Sequence, residues 1–123
     1  PAHAVALACS DQGFHHGVLS GIGLVATLDA TARHVPERCA AIALALGVAP
    51  AASLAQEIAG LMQTLGLPAT LGDLGYATDN VQNLADAAQC SHFNRFAPFQ
   101  PTADEYASML TASLSGSRTC TTH

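Results

Sequence analysis

A long apolar stretch near the start of the chain constrains the fold more than any other feature. Between Gly17 and about Thr31 the residues are apolar nearly all the way round a helix, with Ser20, Gly21 and Gly23 as small positions. A helix without a polar face is buried among other helices, and small side chains allow those neighbours to approach closely. The run is also well short of the roughly 20 residues that a membrane-spanning helix needs. The sequence therefore predicts a central helix inside a bundle.

The rest of the chain carries no strand signal. Alanine and leucine dominate the 123 residues, of which 50% are apolar and only 5% aromatic, and no segment alternates apolar with polar or β-branched residues. This composition favours helices that pack on small side chains, and a chain of this length buries one core. We predict a single all-α bundle of five or six helices over residues 1–114, followed by a flexible polar tail over 115–123.

Capping and breaking residues divide the bundle into helices. Thr78 caps a helix that runs from about Asp79 to Cys90, and Thr102 with Glu105 has the pattern of a capping box. The other expected elements, in chain order, are helices over residues 2–9, 17–31 and 36–47, a helix opened by Pro50 and Ser53 and closed by Gly66, a packed connector over 69–77 and an irregular segment over 92–101.

The helix after Ser53 has the clearest amphipathic pattern in the chain. Aliphatic side chains recur there at helical spacing, at Leu54, Ile58, Leu61, Met62 and Leu65. Residues at this spacing share one side of a helix, so the sequence predicts an amphipathic helix here.

The charge pattern excludes two classes of partner. The chain has no lysine, and its basic side chains are scattered against a net charge of −5, at Arg33, Arg38, Arg95 and Arg118. Nucleic acids and anionic membrane surfaces bind clustered basic side chains. We therefore expect neither nucleic acid nor a membrane as a partner.

The cysteines indicate a reducing compartment. Cys9, Cys39, Cys90 and Cys120 are widely spaced and form no CxxC pair. That spacing excludes a zinc-finger framework and is typical of free thiols inside the cell. The first residues also lack the basic region of a signal peptide. We expect a cytoplasmic protein.

Histidines are the main candidates for chemistry. His15 and His16 stand directly before Gly17 and the apolar helix, which places an imidazole at a helix N-terminus. His3 lies on the other side of the break over Ser10–Gly13. Two histidines on consecutive helices converge on one ion when the turn folds them together, but a divalent ion takes three or more protein ligands. The spacing alone favours two unrelated histidines.

Other catalytic signatures are missing from the sequence. Ser10 and Ser20 have no GxSxG context. Gly21 and Gly23 lie within a helical segment and not in a phosphate-binding loop after a strand. The sequence therefore assigns no catalytic residue and no nucleotide-binding residue.

A series of short motifs runs through the chain in order. They are His15-His16-Gly17, Pro36-Glu37-Arg38, Ala43-Leu44-Ala45-Leu46-Gly47, Leu65-Gly66-Leu67-Pro68, Leu71 to Gly75, Ala85-Asp86-Ala87-Ala88 and Tyr106-Ala107-Ser108-Met109-Leu110. Together they resemble the C-terminal, dehydroquinate synthase-like helical domain of the group III, iron-containing alcohol dehydrogenases, and in particular the branch with the maleylacetate reductases. The resemblance covers nearly the whole chain and leaves out the family's nucleotide-binding domain, so the chain resembles a truncated member.

The resemblance implies a metal-dependent oxidoreductase. Members hold a divalent metal, usually iron and sometimes zinc, with one aspartate and three histidines, and the metal acts as a Lewis acid while hydride passes to NAD(P). By position, His16 matches the last metal histidine. His3 matches either the preceding metal histidine or the nicotinamide-side histidine four residues later; since Leu7 stands four residues after His3, one of those roles is empty. The other ligands and the nucleotide turn would lie before Pro1.

The chain departs from the family pattern in three places. Gly23-Leu24-Val25 replaces Leu-Leu-Pro, Ala30-Thr31 replaces Phe-Asn, and the Asn-Pro-Arg-Pro element is reduced to Asn94-Arg95 with a displaced Pro98. These losses indicate relaxed constraint on the site. We therefore expect the isolated chain to be inactive as an enzyme.

Three interpretations remain open at this point. In the first, the chain is the metal-binding helical part of an NAD(P)-dependent alcohol dehydrogenase and works only with a nucleotide-binding domain or a second subunit. In the second, it is a non-catalytic binding or self-associating protein of the same ancestry, and an exposed apolar face favours a homo-oligomer. In the third, the resemblance is a coincidence.

Overall fold

In this computed structural model the described part of the chain, residues 1–49 and 52–116, is helical in all its regular structure. It contains α1 (Ala2–Ala8), α2 (His16–His34), α3 (Pro36–Ala45), α4 (Leu54–Thr64), α5 (Leu71–Leu74), α6 (Val81–Gln89) and α7 (Ala103–Ser115), with 3-10 helices at Ser10–Gln12 and His92–Phe96. The predicted all-α fold is confirmed. Most of the tail predicted over 115–123 lies outside the described residues.

The connector before α6 contains one turn of helix that the sequence analysis did not predict. Thr70 caps α5 by accepting a hydrogen bond from the Asp73 amide at 3.0 Å. The turn ends at Gly75, whose φ of 81° is a left-handed conformation that suits glycine. Four residues are too few to reveal a helical period, so the described helices number seven where we expected five or six.

Side-chain caps set the starts of α4 and α7 as predicted. The Thr102 hydroxyl accepts from the Glu105 amide at 3.2 Å, and the Glu105 carboxylate accepts from the Thr102 amide at 2.8 Å. Ser53 accepts from the Gln56 amide at 3.3 Å at the start of α4. Pro50, the other residue expected to open α4, lies outside the described residues.

The start of α6 differs from the prediction by two residues. The side chain of Asn80, and not that of Thr78, accepts the first amide hydrogen bond of the helix, from Asn83 at 3.1 Å. The helix therefore begins at Val81 and not near Asp79. Thr78 instead accepts a hydrogen bond from the Asn80 amide within the preceding turn.

α2 lies at the centre of the bundle, as its apolar sequence predicts. It packs against α1, α3, α4 and α7. A Cβ atom on Gly23 would overlap the carbonyl oxygen of Ala2, so this glycine allows α1 to lie directly on α2. No helix in the described part of the chain is both long and apolar enough to cross a membrane. The largest fully buried side chains of the main core are Tyr106, Leu19, Ile22, Leu71, Leu110 and Val5.

A second, smaller core lies where α3 and α4 meet the later part of α2. Its buried residues are Leu28, Cys39, Leu54 and Ala55. Around it, an aliphatic set is exposed on or directly after α3 and α4, at Ile42, Leu44, Leu46, Leu61 and Leu65. The spacing in α4 correctly predicts a helix, and only part of its aliphatic stripe faces the core. The stripe is wider than the contact that α2 offers, so Leu61 and Leu65 stay outside.

The described cysteines carry free thiols. Cys9 and Cys39 are buried, and Cys90 is exposed. Cys120 lies outside the described residues. Within residues 1–49 and 52–116 the thiols therefore agree with the expectation of unpaired cysteines.

Candidate functional site

The structure brings His3 and His16 side by side. His3 lies in the first turn of α1, and His16 is the first residue of α2. Their ring centroids are 4.9 Å apart, and their ring planes meet at 73°. His16 is exposed and His3 is half-buried, so the pair lies at the surface of the bundle. The fold thus joins two histidines that the sequence spacing leaves unrelated.

Hydrogen bonds to a distant connector fix the turn between α1 and α2. The Tyr76 hydroxyl donates to Asp11 Oδ1 at 2.7 Å. The Gln12 side chain donates to the Ala77 carbonyl at 2.5 Å and accepts from the Ala77 amide at 3.2 Å. Gly13 then reverses the chain with a φ of 77°. These contacts hold the turn that joins the C-terminal end of α1 to His16 at the start of α2.

Cys9 lies beside this turn and is held in its protonated form. Burial, together with the negative charge of Asp11, raises the pKa of the Cys9 thiol to about 11. Burial and the hydrogen bond with Asp11 also raise the pKa of Tyr76. A metal ligand or nucleophile needs the thiolate form. Cys9 is therefore a packing residue at neutral pH.

Aromatic side chains close the other side of His3. The Phe93 ring centroid lies 4.1 Å from that of His3, at an interplanar angle of 70°, and the His92 ring centroid lies 4.1 Å from that of Phe93. His16 Nε2 lies 3.4 Å from the Ser20 hydroxyl oxygen one turn along α2. The pair is thus packed on one side and open on the other.

The position of Phe93 depends on the next residue in the chain. Asn94 is buried, and its amide nitrogen donates to the carbonyl oxygens of Ala88 and Gln89 at 2.7 and 2.9 Å. Its amide oxygen accepts a hydrogen bond from the Tyr106 hydroxyl at 2.6 Å. Our sequence analysis missed this role of Asn94. The one signal for it in the sequence is that Asn94 lies between Phe93 and Phe96, in a segment whose residues show no helical period.

The separation of the two imidazoles can be compared with that of two ligands on one ion. With metal–nitrogen distances of about 2.0–2.1 Å, two imidazoles on one ion have ring centroids roughly 4.5–5.3 Å apart, and the separation of His3 from His16, 4.9 Å, lies within that range. A divalent ion needs at least one further protein ligand. No group of three or more His, Cys, Asp or Glu side chains suited to a metal occurs among residues 1–49 and 52–116. The described residues therefore contain no complete set of metal ligands.

Comparison with known proteins identifies the family. The family model described as "Fe-containing alcohol dehydrogenase family, C-terminal" matches residues 2–114, from α1 into α7, and includes both histidines. Neither the curated proteins nor the solved structures contain a significant match. A match over nearly the whole chain rules out a coincidental resemblance. The chain belongs to the Fe-containing alcohol dehydrogenase family, whose all-helical C-terminal domain it carries.

Proposed function

We propose that this chain is the metal-binding helical part of an iron-type, NAD(P)-dependent alcohol dehydrogenase. The observation that carries the proposal is the 4.9 Å approach of His3 to His16 at the junction of α1 and α2. The family implies a divalent metal in the full-length protein, iron or zinc. When bound, that metal supplies Lewis-acid activation of an alcohol oxygen.

His3 and His16 serve as two of the metal ligands in this proposal. The contact with His16 supports the ligand role for His3 and not the nicotinamide-side role, which belongs one turn further along α1. Leu7 occupies that position and has no group that can exchange a proton. The nicotinamide-side function is therefore the one that this chain lacks.

The remaining parts of the active site come from outside the described residues. Because His16 is exposed, a nucleotide-binding domain or a second subunit can reach the pair and complete the ligand set. The same partner supplies the NAD(P) site. We accordingly propose that the isolated chain binds a divalent ion weakly and has no NAD(P)-dependent turnover.

Calorimetric titration with Zn²⁺ and Co²⁺ tests this function. We expect His16→Ala and His3→Ala each to weaken binding by roughly tenfold or more, since even residues that only support a ligand contribute about 10–100-fold. His34→Ala is the matched control, because His34 stacks on Phe99 at 4.0 Å, away from the pair. Unchanged metal affinity in His16→Ala contradicts the ligand role of His16. Measurable dehydrogenase turnover by the isolated chain contradicts the proposal that another domain or subunit must complete the active site.

A second candidate is a non-catalytic, self-associating helical protein of the same ancestry. The exposed aliphatic set on α3 and α4 supports it, because apolar side chains at a surface favour contacts with another chain. Failure to bind metal together with concentration-dependent association would favour this candidate over the first.

Two finer assignments accompany the proposal. A cytoplasmic location is supported by the free thiols of Cys9, Cys39 and Cys90. Membership of the maleylacetate reductase branch is supported by the order of the sequence motifs alone. Location of a tagged chain in cells tests the first of these.

A further inference from the structure

The ring of Phe93 packs against His3 from a part of the sequence far from α1. Phe93 lies in the 3-10 helix His92–Phe96, and its ring centroid is 4.1 Å from that of His3, at an interplanar angle of 70°. Aromatic rings attract one another in this edge-to-face arrangement, because the edge of one ring is positive and the face of the other is negative. His3 therefore has two aromatic neighbours, Phe93 and His16.

A ring beside His3 matters because an imidazole turns freely unless a neighbour holds it. Two bonds of the histidine side chain rotate, and ordering such a side chain when a ligand binds lowers the affinity. A binding residue that its surroundings already hold in place avoids this cost. His16 has a neighbour in its own helix, since its Nε2 lies 3.4 Å from the Ser20 hydroxyl oxygen. For His3, which is half-buried, the ring of Phe93 has the corresponding position.

Phe93 is in turn supported by the residue that follows it. Asn94 donates hydrogen bonds to the carbonyl oxygens of Ala88 and Gln89 at the end of α6, and it accepts one from the Tyr106 hydroxyl on α7. Burial raises the pKa of Tyr106 to about 12, so the hydroxyl keeps the proton that it donates. The backbone next to Phe93 is therefore fixed to α6 and α7.

We propose that Phe93 is a positioning residue for His3. Its ring, supported by the hydrogen bond between Asn94 and Tyr106, holds the imidazole of His3 beside His16 before any metal binds. The proposal rests on the metal-binding function proposed above, because it treats His3 as a ligand. Phe93 has no group that binds a metal, so it acts only through His3. Asn94 and Tyr106 act one step further away, through Phe93.

A second histidine–phenylalanine pair provides a matched control. His34 stacks on Phe99 with ring centroids 4.0 Å apart and an interplanar angle of 7°. Phe99, like Phe93, is half-buried and lies between α6 and α7. His34 is the last residue of α2 and His16 the first, which places them about 27 Å apart along the helix. Removing the Phe99 ring therefore disturbs a histidine without touching the His3–His16 pair.

NMR of the metal-free chain, with labelled histidine, tests the position of His3 directly. The ring centroids of His3 and His16 are 4.9 Å apart, so we expect nuclear Overhauser contacts between their ring protons in the unmodified chain. Phe93→Ala should abolish these contacts, whereas Phe99→Ala should retain them. Absence of the contacts in the unmodified chain, or their persistence in Phe93→Ala, overturns the proposal.

The affinity for Co²⁺, measured by calorimetry, is a second readout. We expect Phe93→Ala to weaken binding by about three- to tenfold, the factor that corresponds to ordering one side chain. Phe99→Ala should leave the affinity unchanged. Equal losses in the two variants overturn the proposal, because they would indicate a general loosening of the segment between α6 and α7.

Tyr106→Phe tests the same role from a greater distance. This variant removes only the hydroxyl that donates to Asn94, so it leaves the buried Asn94 oxygen without that partner. We expect the ring signals of His3 to shift and those of His34 to stay unchanged. If circular dichroism shows that Phe93→Ala does not fold, Tyr106→Phe replaces it. Unchanged His3 signals and unchanged Co²⁺ affinity in Tyr106→Phe then overturn the proposal.

Two results separate this inference from the proposed function. Loss of the His3–His16 contacts in Phe93→Ala, in a chain that binds no Co²⁺, supports the positioning role and contradicts the metal-binding function. Co²⁺ binding with the same affinity in the unmodified chain and in Phe93→Ala overturns the positioning role and leaves the metal-binding function standing.

Discussion

The two ends of the bundle differ in how completely they bury their apolar side chains. At the end formed by α1, α2, α6 and α7, Tyr106 and Leu110 are 0% exposed. At the end formed by α3 and α4, Leu44 is 82% exposed and Leu65 66%. The complete core lies directly beneath the histidine pair. The helices that carry His3 and His16 therefore contribute to the main core, whereas α3 and α4 keep apolar surface that a partner can cover.

Polar groups show the same contrast. The Tyr106 hydroxyl is buried and bonded to Asn94, and in the described part of the chain no buried side-chain nitrogen or oxygen lacks a partner. Around α3 and α4 the smaller core has only four buried residues. A fully paired core is costly to disturb, whereas an open surface tolerates change. The following predictions test that difference.

The largest expected difference is between two leucine truncations. Leu110→Ala removes a fully buried side chain and should lower the free energy of unfolding by about 2–5 kcal/mol. Leu44→Ala removes an exposed one and should change it by about 0.5 kcal/mol or less. Urea denaturation followed by circular dichroism measures both. Similar losses of unfolding free energy in the two variants would contradict the difference in apolar burial between the two ends of the bundle.

Two glycines provide a test of the contact between α1 and α2. A Cβ on Gly23 overlaps the Ala2 carbonyl oxygen, so Gly23→Ala must displace α1 and should cost about 1–3 kcal/mol of unfolding free energy. Gly60→Ala, on α4, meets nothing within 4 Å and should stabilise the chain by up to about 1 kcal/mol. Because α1 carries His3, Gly23→Ala should also weaken Co²⁺ binding. Unchanged Co²⁺ affinity would show that the contact between α1 and α2 does not position His3 for metal binding.

Alkaline pH should destabilise the end that holds the histidine pair. Burial raises the pKa of Cys9 to about 11 and that of Tyr106 to about 12, above their unfolded values of about 8.5 and 10. The folded chain therefore keeps protons that the unfolded chain loses, and stability falls as pH rises from about 9 through 12. Cys9→Ala should flatten the fall, whereas Cys90→Ala, at an exposed position, should not. A flat unfolding free energy between pH 8 and 12 would contradict the burial of these groups.

The smallest effect on stability is expected from the exposed aliphatic set. The double variant Leu44→Ser, Leu65→Ser should change the free energy of unfolding by about 0.5 kcal/mol per site or less. Sedimentation velocity should nevertheless show less association than the unmodified chain at the same concentration, because less apolar surface is exposed. Association that persists in the double variant assigns the contact to another surface.

The sequence predicts those parts of the fold that depend on local patterns. α2 is apolar all round, and the capping box of Thr102 and Glu105 fixes the start of α7 through contacts three residues apart. The closeness of His3 to His16 was beyond such reasoning. It depends on how α1 packs against α2, and the turn between these helices is held in part by Tyr76, which meets Asp11 from 65 residues away along the chain. No spacing rule within the first 16 residues contains that contact.

Burial on α4 and the role of Asn94 were also beyond local reasoning. The spacing that predicts α4 cannot show how much of its surface a neighbour covers, and Leu61 and Leu65 are exposed although they belong to the aliphatic stripe. Asn94 gains its importance from Tyr106, which approaches it from the next helix. Both depend on how helices pack, which the helical period does not determine.

We propose that this chain holds His3 and His16 as a preformed pair of metal ligands. The most direct measurement is the nitrogen-15 spectrum of the histidine side chains during titration with Zn²⁺. We predict that one nitrogen of His3 and one of His16 shift together at the same Zn²⁺ concentration, while the nitrogens of His34 and His92 do not respond. A response of His16 without His3, or equal responses of all four side chains, would contradict the claim.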